Sequence, residues 1–291
     1  MPLLSPLVFL LGLIVGSFLN VVIYRLGTGM SVGRGRSKCF SCGKVLHWYE
    51  LIPVASFIIQ RRRCRGCKSK IAWQYPAVEL LTGLMFLAVW WLIPNPHFLV
   101  PIYWAIFSLL IVILIYDLRH KIIPDGPVFA FIGLSALTAA AARLNLGEVS
   151  LRFNLATTDS VGRFNLATAD INWWLVSEHL LAGIILFVFF WALWYFSGGR
   201  WMGFGDAKLA AGVGLLLGLG PGITAIVLAF WSGALMGVAL VLYGKLASWR
   251  SARAGKRGLT MKSEIPFAPF IILGTALALF GQLNLWSLWF F

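Results

Sequence analysis

Apolar residues in this chain gather into eight long runs, at about residues 5–24, 76–94, 99–116, 126–142, 174–197, 207–220, 222–244 and 267–286. Polar and basic segments separate them. Runs of this kind suit helices that satisfy their own backbone hydrogen bonds across hydrocarbon. The pattern therefore predicts an all-α polytopic membrane protein of about eight transmembrane helices. The first run, "MPLLSPLVFLLGLIVGSFLNVVIYRL", has no basic n-region and no small-x-small cleavage site, so it reads as a retained helix and not as a signal peptide. Gly12 and Gly16 within it form a small face that another helix can approach closely. Two glycines merely tolerated in an apolar helix are the alternative.

Composition agrees with the pattern. Of the 291 residues, 60% are hydrophobic and only 12% are charged, about half the charged fraction of a soluble domain. The many Trp and Phe residues suit interfacial belts and lipid-facing surfaces.

A net charge of +14 would suggest nucleic acid as a partner, but its placement argues otherwise. With the N-terminus outside, 21 of the 24 Lys and Arg residues fall on the inner side, and only Arg143, Arg152 and Arg163 fall outside. That asymmetry is the positive-inside rule, so the basic charge is chiefly topology and no nucleic-acid partner is expected. The organisation read from this is a first helix over 1–25, a cytoplasmic loop over 26–75, and a seven-helix core over 76–291. Within the core lies an outer loop, 143–173. There "RFNLATTD" at 152–159 recurs as "RFNLATAD" at 163–170, a local duplication of the kind outer loops accept.

All four cysteines lie in the inner loop, as "CFSC" at 39–42 and "CRGC" at 64–67. Two C-x-x-C knuckles suit a tetrahedral zinc, because each offers two thiolates on a tight turn. Disulfides are the competing reading, and a cytosolic loop disfavours them. The surrounding "RRRCRGCK" favours thiolate. Cys39, Cys42, Cys64 and Cys67 are therefore expected to hold a structural zinc, forming a ribbon that a loop of this size needs for stability. Four thiolates leave no open position for catalysis. His47 reads as a surface residue.

With only ten acidic residues, each can be placed. Glu79, Asp117, Asp125, Asp206 and Glu264 fall at or near inner ends of the runs, where a carboxylate is a functional candidate by default. Asp117 ends the third run in "ILIYDLRHKIIPD", and Asp206 begins the sixth in "GFGDAKL". Two carboxylates at one depth that meet in a cavity share a proton. The charged one can take a proton from water while the neutral one protonates a carbonyl or a leaving amine. Gly203 and Gly205 fit this reading by letting a substrate backbone approach closely. The residues alone leave other roles open. Asp206 can N-cap its helix, Asp117 can pair with Arg119, His120 or Lys121, and Asp125 can cap the fourth run or stand in for either acid.

These stretches together resemble the bacterial type IV prepilin peptidases, which are GxGD-type intramembrane aspartyl proteases. The likeness runs through "GSFLNVVIYRL" at 16–26, "RSKCFSCGKVLHWYELIPVASF" at 36–57 and "CRGCKSKIAWQYPAVELLTG" at 64–83. It continues through "YDLRHKIIPD" at 116–125, "GFGDAKL" at 203–209 and "EIPFAPF" at 264–270. The resemblance implies catalytic aspartates at Asp117 and Asp206 and zinc ligands at the four cysteines. It implies removal of the short basic leader from type IV prepilins or type II secretion pseudopilins, at the cytoplasmic face of the inner membrane. Members with the cysteine loop also methylate the new N-terminal amine with S-adenosylmethionine. Glu79, Asp125 and Glu264 match motif positions. Arg61, Arg62 and Arg63 would repel a basic leader and are read as facing anionic membrane lipid. A transporter with an ion path of acids, or a scaffold docking through the cysteine loop, are the readings from other classes.

Overall fold

The computed structural model describes residues 4–93, 99–143, 173–250 and 266–283. Among the described residues the chain is all-helical, with two isolated antiparallel bridges, Lys38 to Val45 and Arg63 to Lys70, and no strand. The helices are α1 (Ser5–Arg25), α2 (Ala55–Ile59), α3 (Gln74–Leu92), α4 (Val100–His120), α5 (Asp125–Arg143), α6 (Trp173–Ser197), α7 (Phe204–Leu217), α8 (Leu219–Arg250) and α9 (Ala268–Phe280). Over its described residues, each of the eight apolar runs is helical for most of its length. Among the described residues, five helices are long and apolar enough to cross a membrane: α1, α3 and α4 over their full lengths, Ser177–Ser197 of α6 and Leu219–Leu242 of α8. Asp125–Ala141 and α9 are shorter apolar helices. The five-residue α2 was not expected from the run pattern. The outer-loop repeat at 152–170 lies outside the described residues.

The chain divides into two compact units, Met1–Ile115 and Tyr116–Phe291. In the first, α1 packs along α3 with backbones in direct contact. A Cβ added at Gly12 would lie 2.7 Å from the Cα of Gly83, and one at Gly16 would lie 2.7 Å from the Cα of Glu79. The small-residue face is thus a packing surface. Asn20 secures the pair by donating to the carbonyl of Tyr75 at 3.2 Å, and Tyr24 stacks on Tyr75. Ile111 and Val112 of α4 complete a core with Leu19, Ile23 and Val78. Trp104 adds an indole hydrogen bond of 3.1 Å to the Phe86 carbonyl.

In the second unit α7 lies innermost, packed by α5, α6, α8 and α9. Its sequence explains this. "FGDAKLAAGVGLLL" is built of small and aliphatic residues, with Ala207, Leu209, Ala210 and Val213 wholly buried. Small residues let neighbours close in. A Cβ at Gly214 would meet the backbone of Ala182 at 2.6 Å, and one at Gly212 would meet the ring of Phe131. At 14 residues α7 is about 21 Å long, shorter than a hydrocarbon core, so its burial comes from protein on its flanks. It stops at Gly218, whose φ of +78° turns the chain directly into α8.

Candidate functional site

Asp117 sits in the last turn of α4, only 4% exposed, with no hydrogen-bond partner for Oδ2 among the described residues. The backbone N–H of Ala268 is directed at its carboxylate. Ala268 opens α9, where Pro269 in the first turn favours a helix start. A helix N-terminus thus faces the acid, an arrangement that favours negative charge. Asp117 is therefore not the solvated anchor that pairing with nearby cations would make it.

Asp206 is the third residue of α7 and 6% exposed. Its Oδ2 accepts the backbone N–H of Gly203 at 3.1 Å. The aspartate caps its helix, but from inside the first turn and not from the N-cap position, which Gly203 holds. Its carboxylate lies close enough to Asp117 to feel that group's charge. Capping and pairing, alternatives on the sequence, coexist in one side chain.

The neighbouring residues divide into supports and bystanders. Asp125 opens α5, and its Oδ1 accepts Lys208 Nζ at 2.6 Å. The Asp125 side chain is 66% exposed, so it is an ion-paired surface acid and unlike the two buried ones. The Lys208 ammonium also lies over the rings of Phe204 (4.9 Å) and Phe129 (5.3 Å). This pins the start of α7 to the start of α5. Gly205 corrects the reading of the glycine pair: a Cβ there would meet Ile123 at 2.7 Å, so its missing side chain seats Ile123 and not a substrate. Glu79, in the first unit, accepts the Val54 N–H at 2.8 Å. Glu264 lies outside the described residues. The roles of Ala268 and Lys208 were not foreseen. The Ala-Pro helix start and a lysine two residues past Asp206 were their only signals.

The four cysteines come together as a second centre. All are free thiols, and the Sγ atoms of Cys39, Cys42, Cys64 and Cys67 lie within 4.8 Å of one another. Cys39 and Cys67 are 3.8 Å apart. Zinc–sulfur bonds of about 2.3 Å in a tetrahedron place sulfurs about 3.8 Å apart, so the donor set fits that ion.

The two knuckles are built alike. Gly43 N–H donates to the Cys39 carbonyl at 2.9 Å and Lys68 N–H to the Cys64 carbonyl at 3.0 Å, each from a residue at positive φ. The Cys42 backbone N–H, foremost, lowers the Cys39 thiol to about 6. The Ser69 hydroxyl and then its N–H lower Cys67. Thiolates are the form that ligates metal. Beside the cluster, Glu50 accepts the His47 N–H and the Lys44 ammonium, both at 3.0 Å, which holds its carboxyl below the usual range. His47 is accordingly a backbone donor in a tight turn.

Fold and site together define a class: a helical membrane-type protein with two buried carboxylates at helix ends, one within reach of the other's charge, and a separate four-thiol centre. Residues 10–93 match the bacterial peptidase A24 N-terminal domain, and residues 104–238 match the type IV leader peptidase family. A prepilin leader peptidase/N-methyltransferase of Bacillus subtilis (strain 168) is 31% identical over 277 residues, covering 95% of this chain and 94% of that protein. One of Aeromonas hydrophila is 30% identical, covering 94% of this chain and 89% of its own length. One of Myxococcus xanthus (strain DK1622) is 43% identical over 161 residues, 52% of this chain and 48% of that protein. The chain belongs to the type IV leader peptidase family. No solved structure matches it.

Proposed function

We propose that the chain removes the short basic leader from type IV prepilins or pseudopilins at the cytoplasmic face of the inner membrane, with Asp117 and Asp206 as its catalytic pair. The full-length relatives named as prepilin leader peptidase/N-methyltransferases support the reaction. The observation that supports the site assignment is the burial of two carboxylates, at the end of α4 and the start of α7, near enough for the charge of one to act on the other. Two acids so placed hold one proton between them. The ionised carboxylate takes a proton from water as its oxygen attacks the scissile carbonyl carbon. The neutral partner gives its proton to the carbonyl oxygen. Collapse then breaks the C–N bond: the amine leaves with a proton from the first acid, and one hydroxyl of the gem-diol returns its proton to the second as the new carboxyl forms.

The topology that serves this chemistry is eight spans with the N-terminus outside. It puts the pair at the inner boundary, where a basic leader meets an apolar helix. The glycine before the cut unwinds the substrate locally. Cys39, Cys42, Cys64 and Cys67 hold a structural zinc ribbon, and the new N-terminal amine is methylated with S-adenosylmethionine as donor.

Incubating the detergent-purified protein with a prepilin tests the reading by mass. Loss of the leader is expected without S-adenosylmethionine, and one added methyl group with it. An unchanged substrate mass with folded enzyme would reject the reading.

A further inference from the structure

The stretch "LIPVASFII" at 51–59 lies in the loop between α1 and α3, yet eight of its nine residues are apolar. Ile58 and Ile59 are 67% and 68% exposed. The stretch does not stay at the loop's outer end. The Val54 N–H donates to Glu79, a buried carboxylate inside α3 that Ser17 of α1 also contacts by hydrogen bond. Ile52, Pro53, Val54, Ala55 and Ile58 line one wall of a groove of about 490 Å³ whose other wall is Leu10, Leu13 and Ile14 of α1. Ile14 precedes Arg25, the last residue of α1, by about 16 Å of helix rise. If α1 and α3 cross the membrane as their length and composition indicate, this segment re-enters it to about mid-depth.

Irregular backbone at that depth needs internal partners. Val54 is where the need is greatest: its φ of +59° is strained for a branched residue, and it starts α2. The Glu79 carboxylate supplies the acceptor its N–H would otherwise lack.

The groove continues the outward face of α1, where Leu10 and Ile14 are 52% and 60% exposed, so it opens toward lipid chains. Just past the segment come Arg61, Arg62 and Arg63. Arg62 is pinned, with its guanidinium over Trp73 at 5.2 Å and its Nε donating to the Ile71 carbonyl at 3.0 Å. Trp73 immediately precedes α3 and packs on Phe57 at 5.1 Å, which ties Arg62, and with it the start of the arginine run, to the segment that lines the groove. Arg61 and Arg63 are exposed, and among the described residues no carboxylate pairs with either. An apolar slot of mid-membrane depth below unpaired cations is complementary to one kind of molecule.

We infer that residues 51–59 form a re-entrant segment and that the groove between it and α1 binds one anionic phospholipid, its acyl chain along Leu10, Ile14 and Ile58 and its phosphate at Arg61 and Arg63. The inference stands independently of the peptidase reading.

Native mass spectrometry of the full-length protein in detergent tests it, by titration with phosphatidylglycerol or with phosphatidylcholine of the same acyl chains. The wild type is expected to hold one phosphatidylglycerol about tenfold more tightly than phosphatidylcholine. Arg61→Gln with Arg63→Gln should abolish that preference, while Arg61→Lys with Arg63→Lys keeps most of it. Ala55→Phe, which fills the groove, should weaken both lipids. Equal wild-type affinities for the two lipids would overturn the inference without recourse to any variant. So would a preference that survives the double glutamine change in protein of unaltered melting temperature, or displacement of the lipid by a prepilin's apolar segment.

Discussion

Gly16 and Gly133 are both glycines within helices, and their surroundings set opposite expectations. A Cβ at Gly16 would run into the Cα of Glu79, part of a neighbouring backbone that cannot yield without moving a helix. A Cβ at Gly133 meets nothing within 4 Å. Gly16→Leu should therefore destabilise by about 1–3 kcal/mol through overpacking, while Gly133→Ala should stabilise by about 0.5–1 kcal/mol through helix propensity. Thermal melting in detergent would show the two shifts with opposite signs. The same scale separates the acids. Asp117 and Asp206 are both buried, whereas Asp125 stands 66% exposed against Lys208. Exposed pairs contribute about 0–1 kcal/mol, so Asp125→Asn is expected to keep leader cleavage within about fivefold of wild type. A complete loss of turnover in that variant would give Asp125 a chemical role.

The knuckles and α7 show how much an element can be read locally. C-x-x-C spacing is a property of four adjacent residues, so the cysteine centre was visible in the sequence. What was not visible was the matching backbone frame, with Gly43 and Lys68 both at positive φ. Removing zinc with a chelator should release one ion per chain and expose residues 39–67 to trypsin, while helical content by circular dichroism stays unchanged. Metal retention should also depend on pH. The Cys39 thiol is lowered to about 6, so it is thiolate above that value. Zinc is expected to be held at neutral pH and released on acidification, as protons compete with the ion for the four thiolates. Retention that strong acid leaves unchanged would mean that ligation does not rest on these thiolates. The segment around α2 was invisible for the opposite reason. Its position depends on Glu79, 25 residues beyond Val54 in the chain, and no periodicity encodes that bond.

At the scale of the molecule, the eight apolar runs all became helices because such runs have one way to satisfy their backbone. Their lengths and partners were less legible. The apolar run at 207–220 extends past Leu217, yet the helix stops at Gly218, where packing and a left-handed turn decide. That Asp206 lies within reach of the charge on Asp117 is likewise a tertiary property. It needs α7 drawn to the centre of its unit by small residues, so that its first turn comes to the end of α4. Sequence reasoning placed both acids at one depth and could go no further without the family resemblance. Membership in the type IV leader peptidase family then supplies the reaction that such a pair would perform.

The central claim is that Asp117 and Asp206 activate water together. The most direct measurement compares wild type, Asp117→Asn and Asp206→Asn as purified, folded proteins, following leader removal from a prepilin by mass. Loss of cleavage in each single variant, by at least about a thousandfold, is the result expected of a pair in which neither member works alone. Cleavage that persists in Asp206→Asn would reduce that aspartate to the cap it also is, and the pair could not be the catalyst.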